Sequence, residues 1–148
     1  MEVFMIDTDK CEIENSNTNL ESALALNGIK VLAVDDLPNN LELIKILLET
    51  YGAEVTIATS VREALTILNS LKIDVLISDI QMPGEDGYDL IRQVRQLPNK
   101  IEIPALALTA NDTKSDREQA FLSGFQCYIT KPFETAELVA KIVQLIRY

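Results

Sequence analysis

Three carboxylates, a hydroxyl and an ammonium stand at the ends of apolar runs in this 148-residue chain. Asp35 and Asp36 follow Val31-Leu32-Ala33-Val34. Asp79 closes Ile73-Asp74-Val75-Leu76-Ile77-Ser78, and the Ile80-Gln81-Met82-Pro83-Gly84 that follows cannot continue a strand. Thr109 follows Ala105-Leu106-Ala107-Leu108, and Lys131 follows Cys127-Tyr128-Ile129-Thr130. If these runs are strands of one parallel sheet, all five groups lie along one edge. Two carboxylates about 4 Å apart repel by roughly 1 kcal/mol in water and roughly 4 kcal/mol at a partly buried site. Three gathered acids therefore need more counter-charge than Lys131 supplies. Hard oxygen donors with open positions suit Mg²⁺, with Mn²⁺ as its substitute, and such an ion completes its shell with phosphate oxygens.

The chemistry this set allows is phosphoryl transfer. Asp79 is the nucleophile of choice, since carboxylates form aspartyl-phosphate intermediates. The reaction needs positioning and charge neutralisation more than covalent assistance. A bound cation and Lys131 would neutralise the phosphoryl oxygens, while the Thr109 hydroxyl and backbone N–H groups beside Gln81 and Ala110 would hold them. Taken singly, each residue has an ordinary explanation: strand ends are wet, Asp35-Asp36 suits a helix cap, and Lys131 suits a solvated surface. The coincidence of type at the ends of four strands carries the functional reading. The strand ending in Ala58 offers no such group.

Composition narrows the remaining classes. Nearly half of the residues are apolar, enough for one domain with a sizeable core. A net charge of -10 opposes direct contact with nucleic acid or an anionic membrane surface. The chain has no histidine, which removes Ser-His and Cys-His nucleophile pairs, histidine metal ligands and any phosphohistidine of its own. Two cysteines, Cys11 and Cys127, form no disulfide or zinc pattern and suit a reducing compartment. No run reaches the length of a membrane span, and the first residues lack the order of a signal peptide, so the expected location is cytoplasmic.

The elements that must position these groups are legible from Lys30 onward. Leu41, Ile44, Leu48 and Tyr51 share one helical face, with Gly52 as a stop. Glu54 to Ala58 reads as a short strand. Ser60 is placed to cap a second helix on which Val61, Ala64, Leu65, Leu68 and Leu71 recur at helical spacing. A third helix is expected from Tyr88 to Leu97, ended by Pro98, and a fourth, mostly polar, from Thr113 to Ser123. A fifth runs from Thr135 to Arg147 with Leu138, Val139, Ile142 and Ile146 facing inward. Five strands alternating with five helices indicate an α/β fold with a parallel sheet covered on both faces, its ligand site at the carboxyl ends of the strands. Residues 1–28 differ: six acids stand against one lysine, and Asn15-Ser16-Asn17-Thr18-Asn19 is loop-like. This segment reads as an acidic, poorly ordered extension. The alternative is a docking arm, in which Val3 to Ile6 adds to a sheet edge and Leu20 to Leu26 forms one or two helical turns.

Val34-Asp35-Asp36, Asp79 with Met82-Pro83 and Gly87, Leu108-Thr109-Ala110, and Lys131-Pro132-Phe133 together resemble the receiver domain of two-component response regulators. The resemblance runs from about Lys30 to the C-terminus. It implies a flavodoxin-like (βα)5 doubly wound sheet of strand order 2-1-3-4-5 over residues 29–148. It further implies transfer of a phosphoryl group from a histidine-kinase phosphohistidine to Asp79, catalysed by the receiver itself with Lys131 and Thr109. Asp36 would bind Mg²⁺ directly, Asp35 largely through water, and Asp79 and the Gln81 backbone carbonyl would complete the ligand set. Thr109, the Ala110 backbone and Lys131 would bind the phosphoryl group, and the Lys131–Pro132 peptide would be cis. Thr109 and Tyr128 would form the switch, read out on the surface of the fourth helix, fifth strand and fifth helix.

The implied partners are a histidine kinase or phosphotransfer protein and a downstream protein target, with a homodimer as a further candidate. Since the sequence stops after the fifth helix, the expectation is a stand-alone receiver acting through protein contacts. The alternatives are a receiver module of a hybrid kinase or phosphorelay, which Asp36-Leu37-Pro38-Asn39-Asn40 favours, and a rarely phosphorylated scaffold. A phosphohydrolase of similar topology would carry an acid-base Asp two residues after the nucleophile, where this chain has Gln81.

Overall fold

The apolar runs assemble into one sheet because both of their faces are apolar and each must be covered. The computed structural model describes residues 24–99 and 102–147. Its strands are β1 (Lys30–Val34), β2 (Glu54–Ala58), β3 (Val75–Asp79), β4 (Ala105–Thr109) and β5 (Cys127–Thr130). All pairs are parallel and the order is β2-β1-β3-β4-β5, the flavodoxin-like order expected from the resemblance. The helices are α1 (Pro38–Glu49), α2 (Val61–Ser70), α3 (Gly87–Val94), α4 (Lys114–Ser123) and α5 (Thr135–Ile146).

Strand periodicity splits the core in two. Val31, Ala33, Val75, Ile77, Leu106, Leu108, Cys127 and Ile129 point to one face, where α1 supplies Leu41, Ile44 and Leu48 and α5 supplies Leu138, Val139 and Ile142. Leu32, Val34, Leu76, Ala105 and Ala107 point to the other, against Val61, Ala64 and Leu68 of α2 and Leu90, Ile91 and Val94 of α3. On that second face α4 commits only Ala120 to the buried core.

Capping follows the sequence closely, with small corrections at helix ends. The Ser60 hydroxyl accepts the Glu63 N–H, as its position suggested. Thr113 is the cap of α4 rather than its first residue, accepting the Asp116 N–H at 3.0 Å. Helix α3 stops at Val94, short of Leu97, and closes through i→i−3 bonds from Gln96 and Leu97. Pro98 lacks an N–H and disfavours helical geometry at the residue before it, which explains the tightened end. Helix α5 ends one residue before Arg147.

The folded unit starts earlier than the boundary drawn at residue 28. Residues 24–28 form a turn in which Leu26 is fully buried in the α1/α5 core. The Leu26 N–H donates to the Tyr51 carbonyl at 2.9 Å, and the Gly28 N–H donates to Gly52 at 3.1 Å. A fully buried leucine contributes about 2 kcal/mol, enough to hold this turn against the end of α1. Gly52 makes the approach possible, since a Cβ there would stand 2.8 Å from Asn27 Cα. The acidic extension over residues 1–23, with Cys11 and the Val3–Ile6 strand of the docking-arm alternative, lies outside the described residues.

At the opposite edge from the site, Arg95 ties three segments together. Its guanidinium donates to the Gly124 carbonyl from Nε at 3.0 Å and Nη2 at 2.6 Å, and to the Ile103 carbonyl from Nη1 at 2.6 Å. Gln126 accepts from Arg95 Nη2 at 3.1 Å and from the Ala105 N–H at 2.7 Å. Burial pushes the guanidinium pKa down to about 10, so this is a desolvated charge held by carbonyl dipoles. Among the described residues no helix is long and apolar enough to cross a membrane.

Candidate functional site

Parallel pairing brings the strand ends together. Val34 stands opposite Ser78, Asp79 opposite Leu108, and Thr109 opposite Thr130. The residues that follow each strand therefore emerge side by side. Ligand oxygens of Asp35, Asp36 and Asp79 lie within 4.8 Å of one another. Lys131 reaches back over them, with Nζ 2.7 Å from Asp79 Oδ1 and 3.9 Å from Asp35 Oδ2. Its backbone N–H donates to the Thr109 carbonyl at 2.8 Å, which fixes the end of β5 beside that of β4. The Lys131–Pro132 peptide is cis, as the resemblance implied.

Burial differs among these groups. Asp35 and Thr109 are buried, Asp79 keeps 5% of its surface, and Asp36 and Lys131 are half-buried. Asp35 is anchored: its carboxylate accepts the Leu37 N–H at 2.9 Å and the Asn40 amide at 3.2 Å. This bond to Leu37 restrains the turn into α1, whose N-terminus has no side-chain cap of its own. The Thr109 hydroxyl is likewise engaged locally, accepting the Asn111 N–H at 3.0 Å and donating to the Asn111 carbonyl at 3.2 Å. Gln81 and Ala110 are exposed on the loops that leave β3 and β4.

Burial pushes the Asp79 carboxyl above its usual range. The Lys131 ammonium opposes that shift, while Asp35 and Asp36 reinforce it. The direction is what a desolvated acid beside two others should show, and it describes a pocket short of positive charge. Three carboxylates with ligand oxygens at this spacing fit a hard divalent cation. Loss of Lys131 would leave the acids uncompensated, whereas loss of one acid would ease the repulsion on the others.

The main chain of Asp79 is gripped as tightly as its side chain. The Ser78 hydroxyl donates to the Asp79 carbonyl at 2.8 Å, and the Ile80 N–H donates to the Leu108 carbonyl at 3.0 Å. The Gly87 N–H donates to the Ile80 carbonyl at 2.8 Å, so α3 begins directly against the end of β3. A reciprocal capping box locks that start: the Asp86 side chain accepts the Asp89 N–H and the Asp89 side chain accepts the Asp86 N–H. Sequence reasoning overlooked the box, although two acids three residues apart before an apolar run are its signature.

Tyr128 is half-buried on the α4 side of the sheet. Its hydroxyl donates to Asp112 at 3.0 Å, its ring meets Phe121 edge-on, and Arg117 lies over its face. Burial pushes the phenol upward, opposed by Arg117 and aided by Asp112. Asp112 and Arg117 were not foreseen as neighbours of Tyr128. The signal available was faint: Arg117 and Phe121 share a helical face at i, i+4.

The response regulator receiver domain profile matches residues 31–143. An uncharacterized 14.6 kDa protein of Leptolyngbya boryana is 43% identical over 119 residues, 80% of this chain and 91% of that one. The heme response regulator HssR of Staphylococcus aureus is 38% identical over 119 residues, and the match spans about half (52%) of its length. Among solved structures, the receiver domain of sensor histidine kinase PA1611 from Pseudomonas aeruginosa superposes with a TM-score of 0.74. It is 34% identical, and the match covers 82% of this chain and 99% of that one. Sheet order, the acidic cluster at the strand ends and a profile match across most of the chain agree, and the chain belongs to the response regulator receiver domains of two-component signalling.

Proposed function

We propose that this chain takes a phosphoryl group from the phosphohistidine of a histidine kinase or phosphotransfer protein onto the Asp79 carboxylate. The observation that carries the reading is the 2.7 Å contact between Lys131 Nζ and Asp79 Oδ1 inside the cluster of Asp35, Asp36 and Asp79. In the transfer, the phosphorus–nitrogen bond of the donor breaks and a phosphorus–oxygen bond to Asp79 forms. The freed imidazole nitrogen takes up a proton. Ionised Asp79 is the nucleophile and needs no base, which accords with the absence of histidine.

Asp35, Asp36, the Asp79 side chain and the Gln81 carbonyl would hold Mg²⁺, which when bound neutralises the phosphoryl oxygens. Support comes from the donor set and from the PA1611 receiver, whose structure has a magnesium ion coordinated in its active site cleft. Lys131 would turn from Asp79 to a phosphoryl oxygen, and Thr109 and the Ala110 N–H would hold the others. The product is an acyl phosphate, hydrolysed at the same pocket. The chain acts on itself and on no external substrate. Thr109 and Tyr128 would relay occupancy to the surface of α4, β5 and α5, where a partner protein reads it.

A second reading, a receiver module of a hybrid kinase or phosphorelay, is favoured by the likeness to the PA1611 receiver, itself part of a sensor kinase. The rarely phosphorylated scaffold is disfavoured by the complete set of Asp35, Asp36, Asp79, Thr109 and Lys131. The test is base-labile phosphate incorporation from acetyl phosphate with Mg²⁺. Wild type should label and Asp79→Asn should not; retained labelling in the variant would move the nucleophile elsewhere.

A further inference from the structure

Tyr128 carries more contacts than a half-buried strand tyrosine needs. Its hydroxyl donates to Asp112 Oδ1 at 3.0 Å, and the Arg117 guanidinium lies 5.9 Å from its ring centroid. Phe121 meets the ring at 6.0 Å and 82°. Arg117 Nε is 3.8 Å from the same Asp112 oxygen that the tyrosine uses. Asp112 is exposed, so this bond holds the phenol at the surface. All three partners come from the segment between β4 and the end of α4, and the cluster ties that segment to β5.

The other end of the segment is Thr109, whose hydroxyl is bonded twice to Asn111. Only Ala110 and Asn111 separate that hydroxyl from the carboxylate that holds Tyr128. Drawing the hydroxyl toward a phosphoryl oxygen would break both bonds to Asn111. It would also loosen the loop that carries Asp112.

We propose that Asp112, clamped by Arg117, is a latch that holds Tyr128 outward and lowers the affinity of the Asp79 pocket for a phosphoryl group. The proposal rests on the reading of Asp79 as phosphoacceptor. Its physical basis is population shift: a contact made only in the resting arrangement reduces the fraction of molecules competent to bind, and the apparent affinity falls by that fraction. Asp112 and Arg117 are positioning residues that touch no phosphoryl group. Their effect is transmitted through Tyr128 and the loop 110–113.

The probe is beryllium trifluoride with Mg²⁺, which occupies the place of a phosphoryl group and reports its own binding by ¹⁹F NMR. Asp112→Ala should bind the probe roughly fivefold more tightly than wild type, the lower end of ordinary coupling between two sites. Asp112 is exposed, so the variant should fold. In a Tyr128→Phe background the same substitution should change nothing, because the hydroxyl it restrains is gone. An equal gain in both backgrounds would mean that only a repelling negative charge had been removed, and the latch would be overturned. No gain in either background overturns it as well. If wild type does not bind the probe, or Asp79→Asn binds it equally, the Asp79 reading itself fails and the latch falls with it.

Discussion

Gly87 lies against the main chain of Asp79 so closely that a Cβ on it would stand 2.5 Å from the Asp79 carbonyl oxygen and 2.8 Å from Ile80 Cα. Both obstacles are backbone and neither can rotate aside. The first residue of α3 therefore sets where the end of β3 sits, and with it the height of the Asp79 carboxylate above the sheet.

Gly87→Ala should be destabilised by ~3 kcal/mol, at the upper end for overpacking a tight site. The urea midpoint should fall, and the rate of acetyl phosphate labelling should fall with it, because the strand end must shift to admit the methyl group. A midpoint equal to wild type would show that α3 yields without cost.

The pH dependence of stability should carry the mark of Asp79. Its folded-state pKa is raised, first by burial, so the folded chain holds the proton more tightly than the unfolded chain. The stability this contributes is fully present below the ordinary value near 3.8 and is lost as pH rises through the raised value. Without divalent cations, Asp79→Asn should thus gain on wild type as pH increases across that window. Urea titrations in chelator check the sign; a difference that shrinks with pH would contradict it.

Mg²⁺ binding should separate the two acids that follow β1. Asp35 is engaged with Leu37 and Asn40, and its loss would also loosen the turn into α1. Asp36 is the half-buried member of the cluster. Asp36→Ala should weaken Mg²⁺ by more than about tenfold, since loss of even an outer-shell partner costs 10–100-fold. Asp35→Ala should weaken it less while lowering the melting temperature more. Titration calorimetry and thermal denaturation on the same two variants give both readings.

Truncation should reveal where the domain begins. Removing residues 1–23 should leave stability and labelling unchanged, whereas removing residues 1–27 also removes Leu26, which is fully buried. The longer deletion, like Leu26→Ala, should cost ~2–4 kcal/mol. Equal stability of the two truncations would show that the turn at 24–28 contributes nothing.

The site was legible because residue type and strand termination coincide. Asp35, Asp36, Asp79, Thr109 and Lys131 each follow or end an apolar run, and a parallel sheet has no choice but to gather such ends. The helices were legible to within a turn from their apolar spacing. What escaped are contacts whose partners are remote in sequence. Arg95 falls within the helix expected from Tyr88 to Leu97 and reads there like any solvated arginine, yet it caps the end of α3 and its acceptor Gly124 is 29 residues away. Leu26 follows a polar leader and reads as part of it, since nothing local announces that Tyr51 and Gly52 will meet it. Asn40, in the first turn of α1, and Asp112, in the loop after β4, are short polar residues for which propensity says cap or turn and only geometry says partner.

Arg95 grips the carbonyl of Gly124, the residue that caps the end of α4, while the start of that helix hangs on the Thr113 cap and the Asp112 cluster. A rod fastened at one tip and lightly tethered at the other swings about the fastened tip. On that geometry a small rearrangement beside Thr109 would displace Lys114 more than Ser123. A protein that sensed this chain through α4 would meet the largest displacement over its first turn.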